Sequence, residues 1–195
     1  MLLICFSSSC LIAQKTSKEL QNPEKILIVY LSRTSNTKAI AEMIKNNVGG
    51  DLIPIELQNP YPEKYKEIVD QVAKENESGY LPPLKTKIGN IEKYDVVFVG
   101  FPTWGMQLPP PMKSFLKQYN YSSTTVIPFN TNAGYGTGSS FETVKELCFK
   151  SKILEGFSTK GGIERDGVLF VMEGEREKQV QLEVQKWLKK IGLMN

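Results

Sequence analysis

The sequence predicts an α/β fold, a parallel sheet covered by helices on both faces. Three observations point to it. Apolar, β-branched runs alternate with stretches of helical periodicity along the chain. The run Val96-Val-Phe-Val99 is continuously apolar, as expected of a strand buried on both faces. Three such runs empty into polar or glycine-rich loops, at Ser32 to Thr37, Phe101 to Pro110 and Asn130 to Gly138.

The elements follow in order. Ile26 to Leu31 reads as the first strand, and Ile40, Met43, Ile44 and Val48 mark one face of the helix after its loop. Asp51 to Leu57 reads as a second strand. After the Pro/Tyr-rich turn Asn59-Pro-Tyr-Pro62, a helix is expected over Glu63 to Glu77, with Ile68, Val69, Val72 and Ala73 as its apolar stripe; Gly79 and Pro82-Pro83 stop it. Tyr94 to Gly100 is the third strand and Met112 to Tyr119 the next helix. Thr124 to Phe129 is the fourth strand, followed by a helix over Phe141 to Phe149. Gly156 to Lys160 reads as the last core strand. The closing helix, Glu177 to Ile191, shows Val180, Val184, Trp187 and Leu188 on one face. Gly167 to Met172 lies outside this alternation, and the Asp166-Gly167 turn signal predicts a hairpin adding an antiparallel edge strand there.

Composition removes several chemistries. The chain has 195 residues, enough for one domain with a proper core, and no histidine, which excludes Ser-His-Asp and Cys-His nucleophile systems and most zinc sites. A catalyst built from it would draw its reactivity from a bound cofactor. The net charge of +3 is spread over interspersed residues, without a basic block interleaved with aromatics, so nucleic-acid binding has little support. Cys148 reads as a buried structural thiol in a helix, since Cys5 and Cys10 belong to the leader.

Residues 1–13 are uncharged, apolar at Leu2 to Phe6 and too short for a membrane span. They read as a signal peptide cleaved after Ala13, or as a lipoprotein leader ending at Ser8-Ser9-Cys10, although the basic n-region is missing. Export to the periplasm, or lipid anchoring, is the expectation, with a cytoplasmic location as the alternative. Residues 14–25 read as a linker and 26–195 as the domain.

In an open α/β sheet, loops at the carboxyl ends of strands converge on the ligand crevice. The first loop combines hydroxyls with the unpaired N–H groups and dipole of a helix N-terminus, a recipe for holding phosphate. It lacks the Walker pattern of a nucleotide-triphosphate site. The same Ser and Thr residues also suit simple helix capping. Phe101-Pro-Thr-Trp-Gly105 offers a planar ring on a tight turn, although Trp104 alone equally suits a core or surface aromatic. Thr131-Asn-Ala-Gly-Tyr-Gly136 offers glycines that let backbone donors approach a ligand, or mere turn punctuation. Together they describe a cradle for a flat heterocycle with a phosphate tail.

Ser32-Arg-Thr-Ser-Asn-Thr37 resembles the Thr/Ser-x-Thr-Gly-Asn-Thr phosphate loop of flavodoxins. Pro60-Tyr-Pro-Glu-Lys-Tyr65, Gly100-Phe-Pro-Thr-Trp104 and Pro128-Phe-Asn-Thr-Asn-Ala-Gly134 resemble segments of a bacterial flavodoxin-like branch. The resemblance covers Ile26 to Leu193. It implies a three-layer sandwich around a five-stranded parallel sheet in the order 2-1-3-4-5, and non-covalent FMN binding. Ser32, Arg33, Thr34, Ser35, Asn36 and Thr37 would surround the phosphate. Pro102, Thr103, Trp104 and Gly105 would flank the isoalloxazine, with Gly105 as a candidate peptide pivot. Thr131, Asn132, Ala133, Gly134, Tyr135 and Gly136 would border its pyrimidine side, with backbone donors near N1 and O2. The implied function is electron transfer with a redox partner protein or a small-molecule acceptor; the alternative is an FMN-dependent NAD(P)H or quinone oxidoreductase. Two departures stand out. Ser35 replaces the loop glycine, and the isoelectric point near 8.6 is unlike the acidic surface of electron-shuttle flavodoxins.

Overall fold

The computed structural model describes residues 25–195, so the leader and nearly all of the expected linker lie outside the described residues. Parallel strands β1 (Ile26–Tyr30), β2 (Asp51–Pro54), β3 (Val96–Pro102), β4 (Thr125–Asn132) and β5 (Lys152–Ile153) take the order β2-β1-β3-β4-β5, and β6 (Phe157–Lys160) also pairs with β4. Every strand pair is parallel. The helices are α1 (Asn36–Val48), α2 (Tyr65–Ser78), α3 (Pro110–Lys117), α4 (Ser140–Leu147) and α5 (Gly174–Lys190).

Alternation along the strands divides the interior into two cores. Leu27, Val29, Val97, Val99 and Val126 face α3 and α4 through Met112, Phe115 and Val144. Ile26, Ile28, Val96, Phe98 and Ile127 face α1 and α5 through Ile40, Ile44, Val180, Val184 and Leu188. With both faces covered, β1 and the first six residues of β3 can go without polar side chains, whereas β4 turns polar from Asn130 to Asn132 where it reaches the rim. Pro110 and Pro111 open α3, where a missing N–H costs nothing. Gly79 closes α2 in the left-handed conformation. Among the described residues, no helix is long and apolar enough to cross a membrane.

The structure corrects four expectations. β2 ends at Pro54 rather than Leu57, because the following residues turn to the segment at 84–86: Lys85 N–H donates to Glu56 O at 2.8 Å and Leu57 bridges Leu84. The fifth strand position is split. β5 pairs with the first part of β4 and β6 with its end, and the break falls beside Pro128, which has no N–H for a ladder. The extra strand is therefore part of this edge.

The hairpin expected at Gly167 to Met172 is absent. Glu164–Asp166 is a 3₁₀ turn, Gly167 adopts φ +77°, and only Ile163 and Val168 form an isolated bridge. The next residues are tied to the first loop instead. The Asn36 Nδ2 group donates to Leu169 O at 2.6 Å, and Val171 N–H donates to Asn36 Oδ1 at 3.1 Å. Finally, α2 buries Ile68, Val72 and the polar Glu75, while Val69 and Ala73 of the expected stripe stay exposed. Glu75 is accommodated because the Tyr61 hydroxyl donates to its Oε2 and Gln71 Nε2 to its Oε1.

Candidate functional site

β1, β3 and β4 end at one rim, and their loops border a cavity of about 640 Å³, within the range of small-molecule sites. Of the residues predicted from sequence, Arg33, Thr34, Asn36 and Thr37 line it from the first loop. Pro102, Thr103, Trp104 and Gly105 line it from the second, and Thr131, Asn132, Ala133, Tyr135 and Gly136 from the third. Ser32, Ser35 and Gly134 do not line it.

The first loop is held by its side chains and offers its backbone. Ser32 Oγ accepts from Lys38 N–H at 3.2 Å, capping α1 from outside the helix. Asn36, expected at the phosphate, is a buried clamp whose Nδ2 also donates to Thr34 Oγ1 at 2.9 Å. Arg33 is a strap rather than a free cation. Its Nε pairs with Glu164 Oε1 at 2.7 Å, its Nη1 donates to Pro62 O at 3.1 Å, and its Nη2 to Glu63 O. Thr37 Oγ1 lies 2.8 Å from Thr131 Oγ1, joining the loop to β4. The amides of Thr34, Ser35, Asn36 and Thr37 find no acceptor among the described residues. They gather at the positive end of the α1 dipole, as an anion requires.

Ser35 sits at φ +63°, where a Cβ is strained. Its side chain makes no capping bond in return. Ser35→Gly is expected to raise stability by about 0.5–1 kcal/mol, the relieved strain outweighing the added chain entropy. Chemical denaturation measures this, and a less stable variant would refute the strain.

The second loop is a two-residue hairpin turn. Trp104 N–H donates to Gln107 O at 3.3 Å and Gln107 N–H to Trp104 O at 3.0 Å, with Gly105 at φ +56° and Met106 at φ +60°. Tyr61 packs edge-on against the half-buried Trp104 ring, 5.6 Å between centroids. The turn is pinned from the third loop, since Ser139 N–H donates to Met106 O at 3.0 Å.

The third loop corrects another expectation. Asn132 Oδ1 accepts from Gly134 N–H at 2.8 Å and Gly136 N–H at 3.1 Å, so neither glycine amide is free for a ligand. Beneath it, the fully buried Asn130 ties the rim together. Its Nδ2 donates to Phe101 O and Thr103 Oγ1, each at 3.0 Å, and its Oδ1 accepts from Ser158 Oγ at 3.2 Å.

Two parts of the wall escaped the sequence reading. The loop after β6, Gly161 to Arg165, lies at the same rim. Gly161 backs directly onto Asn36 and Thr131, where an added Cβ would stand 3.3 Å and 3.4 Å from their side-chain carbons. Its signal was its place at the carboxyl end of a strand. The other part is α2, where the apolar Val69 and Ala73, four residues apart, border the cavity.

Residues 25–173 match the family model described as Flavodoxin. Among solved structures, the chain is 29% identical to a provisionally named flavoprotein from Bacteroides eggerthii, over 87% of this chain and 98% of that one, with a TM-score of 0.69. A similarly named flavoprotein from Bacteroides uniformis is 22% identical, over 85% and 97% of the two chains, with a TM-score of 0.68. A flavoprotein from Lactobacillus acidophilus, solved in complex with FMN, is 21% identical over 69% and 92% of the two chains, at a TM-score of 0.61. No curated protein matches the sequence.

Proposed function

The chain belongs to the flavodoxin family, and from that premise we propose that it is an electron-transfer flavoprotein holding FMN at the carboxyl ends of β1, β3 and β4. The carrying observation is the set of unpaired amides from Thr34 to Thr37 at the start of α1, next to the Trp104 wall. The residues present fit the group. Amides and the Thr34 hydroxyl would hold the phosphate, and the cavity has the volume of a ligand site. Bound FMN supplies one- and two-electron redox chemistry.

The chain's own residues bind, orient and shield. The Asn36 clamp ties the amides to the segment at 169–171, and the Thr37–Thr131 contact fixes them relative to β4. Tyr61 fixes the tilt of Trp104 beside the ring. An apolar flank excludes water and disfavours added negative charge there. Arg33 and Glu164 neutralise each other across the mouth, so neither adds net charge to the site.

The absorbance spectrum of the purified full-length chain, before and after incubation with FMN, tests the cofactor. Stoichiometric, fluorescence-quenched FMN is expected, and a chain that takes up none would overturn the reading. Photoreduced protein is expected to pass electrons to ferric cytochrome c. Steady NADPH consumption with a quinone acceptor would instead make it an oxidoreductase. Export directed by residues 1–13 belongs to the same proposal, and recovery of the native protein from the cytosolic fraction would contradict it.

A further inference from the structure

The cavity is not confined to the three loops. It continues along α2 from Tyr65 to Glu77, roughly 18 Å of helix at 1.5 Å per residue. The chemistry of this extension differs from that of the loop end. Val69, 44% exposed, and Ala73 place apolar groups where a solvent-facing helix surface would be polar. Their neighbours Ile68 and Val72 are buried yet belong to neither core. Met106, 45% exposed, also lines the cavity, held at positive φ by the turn.

A polar cluster borders this extension. Lys113 Nζ donates to Asn76 Oδ1 at 2.8 Å and to Gln107 Oε1 at 3.4 Å. An ammonium has donors only, so each carboxamide must turn its oxygen toward Lys113 and its NH₂ elsewhere. Both residues line the cavity, and neither NH₂ donates to any acceptor among the described residues. Burial, with a contribution from Lys117, holds the Lys113 pKa below the ordinary lysine value. The exposed Glu77 lines the cavity too, and its carboxylate opposes an anionic ligand.

We propose that the groove between α2 and the Trp104–Gln107 turn is a second ligand site, for an uncharged, flat, largely apolar molecule whose carbonyl oxygen accepts from Asn76 and Gln107. Val69, Ala73 and Met106 cover the apolar body, and the two amides select an acceptor over a donor. Its position beside a flavin rests on the function proposed above; the groove itself does not.

Calorimetric titration of 2-methyl-1,4-naphthoquinone into the FMN-saturated full chain tests it. Binding at a single site is expected, weakened about tenfold by Asn76→Asp, which keeps an oxygen on Lys113 and removes the donor. Ala73→Trp, filling the groove from an exposed position, is expected to abolish binding. FMN affinity should change less than threefold in Asn76→Asp. Equal binding by wild type and Asn76→Asp would overturn the proposal, as would a probe that FMN displaces one for one. Should the chain take up no FMN, the flavin reading fails separately, and the same two variants decide the groove in the flavin-free protein.

Discussion

Asn130→Leu is expected to cost about 3–4 kcal/mol of stability and to weaken FMN uptake at least tenfold. The two side chains share a branched shape and leucine is the larger, so no void is left and the effect comes from lost hydrogen bonds, with some crowding added. Asn130 is fully buried, and its carboxamide bonds to Phe101 O, Thr103 Oγ1 and Ser158 Oγ, with a longer contact from Asn132 Nδ2 at 3.3 Å. Leucine would leave these groups without their common partner, each at about 1–3 kcal/mol if water cannot reach it. Thr103 also donates to Gly136 O at 3.1 Å, so the loss spreads to both ring-side loops. Urea denaturation measures the first effect and flavin fluorescence the second. A loss below 1 kcal/mol with unchanged FMN affinity would show that this network does not position the rim.

The sheet and its core were legible in the sequence because burial on both faces leaves unbroken apolar runs at β1, β3 and β4. The α5 stripe was equally plain, as Val180, Val184, Trp187 and Leu188 are all buried. What periodicity misread were segments whose partners lie far along the chain. Val168, Leu169 and Phe170 look like a strand, yet they lie exposed and are anchored by Asn36, more than a hundred residues earlier. Gly162 makes room for them; an added Cβ would come within 2.4 Å of the Val168 and Leu169 carbonyls. A lone hydrogen-bonding clamp leaves no local pattern. The split of β5 from β6 was similarly hidden, because its cause sits on the neighbouring strand at Pro128. At the rim, most residues of the three loops could be placed from their positions after strands, while Ser32, Ser35 and Gly134 do not line the cavity. Individual roles could not be read, since a motif cannot show that the Arg33 charge is spent on Glu164 or that Asn132 occupies two glycine amides. The α2 residues read as one apolar stripe because a helix face lining a cavity and one facing a core carry the same apolar spacing.

Riboflavin, which lacks the phosphate, is expected to bind about a thousandfold more weakly than FMN. Charge-assisted hydrogen bonds contribute about 1.5–3 kcal/mol each, and three from the Thr34 to Thr37 amides would amount to at least about 4.5 kcal/mol, a little over three decades in Kd. Where that affinity comes from can be tested by salt. A phosphate held by exposed lysines or arginines loses affinity steeply as ionic strength rises, because surface charges are screened beyond a Debye length of about 10 Å at 0.1 M. In this loop the one guanidinium is already paired with Glu164 at 2.7 Å, and Lys38 is exposed beside Glu42 at 3.8 Å. The amides would meet the phosphate as fixed partial charges in direct contact, where screening is weak. Raising salt from 0.05 to 0.5 M should therefore change the FMN Kd by less than about threefold, with the gap to riboflavin intact. A gap that collapses in high salt would transfer the phosphate from the backbone of α1 to mobile surface cations, and with it the reason that Asn36 and Thr37 are locked in place.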